Sequence, residues 1–298
     1  MKHNDAFSRC HPAVNFLYFA LVLLGAMLLQ HPLCQAISLV SAVACFCCLG
    51  GERPGGFRLW YALALFVVTA AVNPVFSHEG RTILRYLSSG NPLTLESILY
   101  GLGAACTLSC ALVWFSCYTR VMTSDKFVYL FGRIVPALSL VLSMTLRFVP
   151  RFSAQARRVA RSQAAVGNDL HSESLLRRIR CALMIFSILV TWSLENAVDT
   201  ADSMRARGYG LPGRSAFSIF TLTKRDKCLL AVLALLGAVV AAGYCSGALS
   251  WRYYPSVKGA GFTPVSILCW ASYLILNLVP VILEQKEAAV CRRLQSQI

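Results

Sequence analysis

Two tripeptides in this chain set an arginine between two small residues: Ala160-Arg161-Ser162 and Ala206-Arg207-Gly208. A guanidinium stays charged and presents five N–H donors in a fixed fork, which suits carboxylates, phosphates and exposed carbonyl oxygens. Small neighbours let a partner surface come close. The two arginines stand 46 residues apart. A pair of such tips suits a two-fold partner touched once per half. It equally suits phospholipid phosphates, which juxtamembrane basic clusters bind at about 1 kcal/mol per residue. On residue chemistry alone both readings stand.

Other groups able to do chemistry are sparse. Cys106 and Cys110 lie one helical turn apart, with no histidine or carboxylate beside them, so they read as packing residues rather than metal ligands. His78-Glu79 offers two ligands, too few for a metal, and Asn73-Pro74 ahead of it reads as a helix-end turn. Glu195, Asp199 and Asp202, spaced four and three apart, share one stripe of a helix. A proton relay is one use for them. The basic surroundings favour a structural one, in which they pair with Arg157, Arg158 or Arg205 and hold two helices together. No G-x-x-x-x-G-K-[ST] loop occurs, and none of the seven acids in 119–227 sits like a magnesium ligand after a strand. The chain is expected to be non-catalytic, with no cofactor or metal of its own.

The elements that must position these residues are apolar. Of 298 residues, 57% are hydrophobic and 14% charged, and the mean hydropathy is +0.60. Soluble domains carry about 25% charged residues. Six runs are long enough to span a bilayer: Ala13–Gln30, Leu33–Gly50, Phe57–Phe76, Ser97–Tyr118, Cys228–Leu249 and Phe262–Leu283. The first is followed by His31-Pro32 rather than a small-x-small site, which argues against a cleavable signal peptide. The fold class is an all-α polytopic membrane protein.

The net charge of +15 is then the basic excess that orients membrane proteins, not a nucleic-acid footprint. With the N-terminus inside, 24 of the 28 lysines and arginines fall on inner segments, so both termini are expected to be cytoplasmic, in a cell membrane. The thirteen cysteines do not form a disulfide framework, because Cys45, Cys47, Cys48, Cys181, Cys228 and Cys269 also lie in apolar runs.

Three regions follow: membrane helices in 1–118, a basic region in 119–227, and membrane helices with a tail in 228–298. The middle region holds two greasy segments, Phe127–Pro150 and Ile179–Leu194. Arg133 and Arg147 leave 13 residues between charges in the first, about 20 Å of helix against roughly 30 Å of hydrocarbon. The second offers about 16 residues. Had both crossed, Arg151, Arg157, Arg158, Arg161, Arg177 and Arg178 would lie outside. Both segments are therefore expected to lie in or under the inner leaflet as two long helices. Pro136 is expected to bend the first, and a new helix to follow Pro150 and end at Gly167-Asn168. The other is expected to start near Ser172–Leu175 and to end at Gly208 in the left-handed conformation.

The stretch Ala201, Met204, Ala206, Arg207, Gly208 and Tyr209 resembles the second coupling helix of the transmembrane T component of energy-coupling factor transporters, a family that includes the cobalt-transport CbiQ-type proteins. Arg147-Phe148-Val149-Pro150 with Ala160-Arg161-Ser162 resembles the family's earlier coupling element, Ser162 standing where Gly is more usual. "HPAVNFLYF" and "NPVFSHEG" also look like the family, so motifs cover residues 11 to about 210. The resemblance implies a complex with two ATP-binding-cassette ATPases and a small substrate-binding membrane protein. Arg161 and Arg207, each with its small neighbours, would dock in the two ATPases, supported by Arg147, Pro150, Glu195, Asp199 and Asp202. ATP and magnesium would be bound by those partners, and a vitamin or metal ion would be the cargo. The apolar faces of Val135–Leu146 and Ile179–Leu194 would carry the substrate-binding subunit. The alternative is a polytopic membrane enzyme or scaffold whose basic face binds lipid headgroups.

Overall fold

The computed structural model describes residues 7–49, 55–76, 80, 82–86, 92–132, 136–167, 175–211 and 220–295. In chain order the elements are α1 (Pro12–Leu28), α2 (Pro32–Leu49), α3 (Gly55–Phe76), β1 (Ile83–Tyr86), β2 (Pro92–Thr94), α4 (Leu95–Val121) and α5 (Ser124–Gly132). There follow α6 (Pro136–Ala165), α7 (Leu175–Ala206), α8 (Lys224–Cys245), β3 (Trp251–Arg252), β4 (Lys258–Gly259) and α9 (Pro264–Gln295). The all-α class holds, with two short antiparallel hairpins, β1–β2 and β3–β4, in the stretches between spans. Each of the six expected spans falls on a helix.

By length and composition α2, α4, α7, α8 and α9 can cross a membrane, while α1 and the Trp60–Phe76 part of α3 are shorter apolar helices. The inclusion of α7 departs from the expectation. The helix runs unbroken past Leu194, which extends its apolar stretch to an 18-residue window with at most two charges. The first long helix also differs from its reading. Pro136 opens α6 instead of bending it, and the helix continues through Pro150. A first-turn proline loses nothing, because its N–H would be unpaired there anyway. Pro150 forgoes one backbone hydrogen bond, and the turns on either side carry the helix through it. Arg133 lies outside the described residues.

Contacts divide the chain into two units: residues 1–127 with 220–298, and residues 128–219. The first is a bundle of α1 to α4, α8 and α9. Its core includes an edge-to-face aromatic cluster, with Phe7 5.1 Å from Tyr18, Tyr18 5.2 Å from Phe19, and Phe19 5.6 Å from Tyr118. Such pairs add about 0.5–1.5 kcal/mol each beyond burial. Between α2 and α4 the contact is polar. Trp114 Nε1 donates to Ser38 Oγ at 3.2 Å, Ser38 Oγ lies 3.0 Å from Cys110 Sγ, and Gln35 Nε2 donates to Thr107 Oγ1 at 2.9 Å. Small hydrogen-bonding residues of this sort let helices close up where lipid offers no hydrophobic drive. On α3, Pro74 cannot donate to Ala70 O. Gly101 of α4 packs there so closely that a Cβ would stand 3.1 Å from that oxygen and 3.2 Å from Pro74 Cδ.

Side-chain contacts fix how the bundle alternates. At one end, His11 N–H donates to Asp226 Oδ1 at 3.4 Å, Lys126 Nζ donates to Ser8 O and to Val121 O (2.9 Å), and Arg225 pairs with Glu287 at 3.0 Å. The starts of α1 and α8 and the ends of α4 and α9 therefore share that end. At the other, Tyr253 Oη donates to Gln30 O at 3.2 Å, and His31 lies 5.0 Å from Trp251 and 5.1 Å from Trp270. Two His-Pro dipeptides begin helices in the same way. His11 Nδ1 accepts from Ala13 N–H at 3.2 Å and His31 Nδ1 from Leu33 N–H at 3.3 Å, each satisfying a first-turn donor.

Candidate functional site

The second unit places both arginine tripeptides on one helical hairpin. Along α7, Cys181, Ile185 and Leu189 recur every fourth residue and are buried. They meet Val159 of α6, with Phe152, Ala156 and Ala160 packed around. Phe152 and Trp192 approach with ring centroids 6.0 Å apart. Arg177 Nη2 donates to Gly167 O at 3.5 Å near the closed end. Moving away from that end, residue numbers fall on α6 and rise on α7, so the helices are antiparallel. This seam is apolar, and its four-residue spacing was the available signal for it.

The two arginines occupy opposite ends of the hairpin. The Phe152–Trp192 register brings Arg161 level with Leu183. From there to Arg207 the axial distance is roughly 36 Å at about 1.5 Å per residue. Both arginines are exposed, and so are Ser162 and Ala206, while Ala160 and Gly208 are half-buried.

The tips differ in local build. Arg161 lies inside the last turns of α6, where Ser162 Oγ donates back to Arg158 O at 3.1 Å. The helix closes later, at Gly167 with φ +89°. Arg207 is itself the residue that ends α7. Gly208 takes φ +72°, its N–H donates to Arg205 O at 2.9 Å, and Tyr209 N–H donates to Met204 O at 3.0 Å. That bond pair is the Schellman ending, which a glycine supports at no steric cost. Arg207 thus projects from a stopped helix and Arg161 from the side of a continuing one.

Of the pairings their spacing suggested, the one with Arg205 is present among the described residues and those with Arg157 and Arg158 are not. Glu195, Asp199 and Asp202 are exposed, and among the described residues Asp202 pairs with Arg205 on its own helix, at 4.0 Å. Among the described residues no ion pair joins α7 to α6. The reason is the antiparallel register: Arg157 and Arg158 lie toward the closed end, and the three acids toward the far end. Arg147 and Pro150 are exposed on α6, on the far side of Phe152 from Arg161. Of the expected α7 start at Ser172–Leu175, Leu175 opens the helix and 172–174 lie outside the described residues, as does His78-Glu79. Cys106 is half-buried, and among the described residues no three of His, Cys, Asp and Glu converge as a metal site.

The family model for CbiQ, cobalt transport protein, matches residues 6–219. Curated relatives carry the name energy-coupling factor transporter transmembrane protein EcfT. That of Lactobacillus helveticus is 33% identical over 103 residues, 34% of this chain and 37% of the relative. That of Bacillus selenitireducens is 34% identical over 106 residues, 35% and 40% of the two chains. That of Bacillus subtilis is 28% identical over 107 residues, 36% and 40%. The matched stretch thus spans about two fifths of each relative's length. A match over residues 6–219, on a chain built of bilayer-length apolar helices, makes this a multi-pass membrane protein that belongs to the CbiQ family.

Proposed function

We propose that this chain is the transmembrane coupling subunit of an energy-coupling factor importer. It transmits the ATP-driven motion of two cassette ATPases to a small substrate-binding membrane subunit, which releases a vitamin or metal ion inside. The observation that carries the reading is the pair of small-Arg-small tips at opposite ends of one hairpin. A rigid bar with a guanidinium near each end can be gripped at two places and moved by a partner whose halves approach and part. A lipid surface alone requires no such pairing.

The names of the relatives support the same assembly. ATP and magnesium belong to the ATPases, and this subunit performs no chemistry. The chain lies in the cell membrane, both termini in the cytoplasm, as the 24 of 28 basic residues on the inner segments favour. The exposed apolar stripe Leu183, Phe186, Val190 and Leu194 is the platform for the substrate-binding subunit. Of the expected α6 face, Val135–Leu146, the side chains of residues 140–146 are described, and Val141 and Leu146 are exposed there.

The test is co-purification of a tagged chain expressed with two cassette ATPases. Arg161→Glu and Arg207→Glu each weaken ATPase retention, since each turns a charge-assisted contact repulsive. The double variant loses it. ATPases retained at full stoichiometry by the double variant would overturn the assignment.

A further inference from the structure

Five more arginines crowd the closed end of the hairpin: Arg157 and Arg158 on α6, and Arg177, Arg178 and Arg180 on α7. All five are exposed. From Arg151 to Arg180 the chain holds seven arginines against two acids, Asp169 and Glu173. Among the described residues none of the five pairs with a carboxylate; Arg177 makes only its contact with Gly167 O. Large apolar side chains lie beside them with nothing packed over them: Val166 is 78% exposed, Leu175 69% and Leu176 80%.

We infer that the closed end of this hairpin binds anionic phospholipid, with the five guanidiniums on headgroup phosphates and the apolar side chains among the first acyl carbons. A soluble anion would satisfy the arginines and leave the leucines in water. A leaflet surface takes both, because phosphates and acyl carbons lie within one arginine length of each other. Juxtamembrane guanidiniums of this kind gain from an anionic surface and lose that gain as salt rises. The site shares the closed end with Arg161, one helical turn from Arg157 and Arg158, and is separate from the Arg207 tip at the other end. It gives the hairpin a lipid anchor at one end only.

The probe is phosphatidylglycerol, with phosphatidylcholine as control, offered to the purified full chain in detergent and counted by native mass spectrometry. The wild type retains phosphatidylglycerol preferentially, and retention falls as ionic strength rises. Replacing the five arginines by glutamine lowers that retention at least about tenfold. The same variant, carrying Arg161 and Arg207, still captures ATPases. Conversely, Arg207→Glu, at the remote end of the hairpin, leaves phosphatidylglycerol retention unchanged. A further variant, Leu175→Ser with Leu176→Ser, lowers retention without changing charge. Undiminished retention in the five-glutamine variant overturns the lipid site. So does a variant that loses ATPases while keeping the lipid, since the arginines would then face protein. Helical content and thermal melting of the variants show that any loss is not unfolding.

Discussion

Phe152 on α6 and Trp192 on α7 hold their ring centroids 6.0 Å apart at a 59° tilt, and this contact sets the register of the hairpin. The separation of Arg161 and Arg207 depends on it. Phe152→Ala removes a half-buried ring from a seam whose other members, Trp192 apart, are small or aliphatic, at a cost of about 1–3 kcal/mol. Spin labels at positions 161 and 207 should report one narrow distance distribution in the wild type and a broad one in the variant. An unchanged distribution would mean that the buried aliphatic seam, Val159 with Cys181, Ile185 and Leu189, suffices alone.

Gly208→Val should separate helix ending from membrane folding. At φ +72° an L side chain is disfavoured by about 1–2 kcal/mol, and here a Cβ would also meet Leu211 Cδ1 at 3.1 Å. The ending unwinds or shifts and Arg207 loses its fixed direction. ATPase retention falls although the variant inserts and melts like the wild type. Gly208→Asn, which tolerates the left-handed region, retains most of the capture.

How far the sequence foretold all this differs from residue to residue. The end of α7 was legible, because a glycine after a basic last turn is a local signal and Gly208 carries it alone. The cysteines were legible as packing residues only in part: Cys45, Cys110, Cys181 and Cys269 are buried and Cys106 half-buried, but Cys47, Cys48 and Cys228 are exposed. Pro150 misled, because a proline removes one backbone hydrogen bond and the turns on either side can still hold the helix. The acids were legible only in part. Spacing placed Glu195, Asp199 and Asp202 on one stripe, but only the antiparallel register decides which arginines come near, and it sends Arg157 and Arg158 the other way. An exposed pair such as Asp202 and Arg205, at 4.0 Å, is worth well under about 1 kcal/mol, so Asp202→Ala should leave the melting temperature unchanged. The knot at the α1 start was out of reach altogether: His11 meets Asp226 across 215 residues, and Lys126 meets Ser8 across 118.

His11 should make the bundle acid-sensitive. Burial lowers the pKa of its imidazole, against an opposing pull from nearby Asp226. The neutral ring is needed, because Nδ1 accepts the Ala13 N–H. The unfolded chain takes up the proton more readily, so this contribution to stability is complete above the ordinary imidazole pKa of about 6.5 and fades as the pH falls through it. The melting temperature of the wild type should drop between neutral and mildly acid pH. His11→Asn, which caps the helix without titrating there, should flatten that part of the profile. An identical slope in the variant would assign the acid sensitivity elsewhere.

Gly101 tests the contact between α3 and α4. Its missing side chain admits the Ala70 carbonyl, which Pro74 leaves without its helical donor, and a Cβ would stand 3.1 Å from that oxygen. Gly101→Ala forces the neighbours apart by a few tenths of an ångström, and the gain in helix propensity of about 1 kcal/mol offsets part of the strain. Gly101→Leu has no such escape, since its added carbons must enter the space held by Asn73 and Pro74, and overpacking of this kind costs about 1–3 kcal/mol or more. The leucine variant should therefore melt several degrees lower and expose α3 to protease, with the alanine variant close to wild type. Equal stability of the two would show that α3 can slide along α4, and that the glycine is not what seats it.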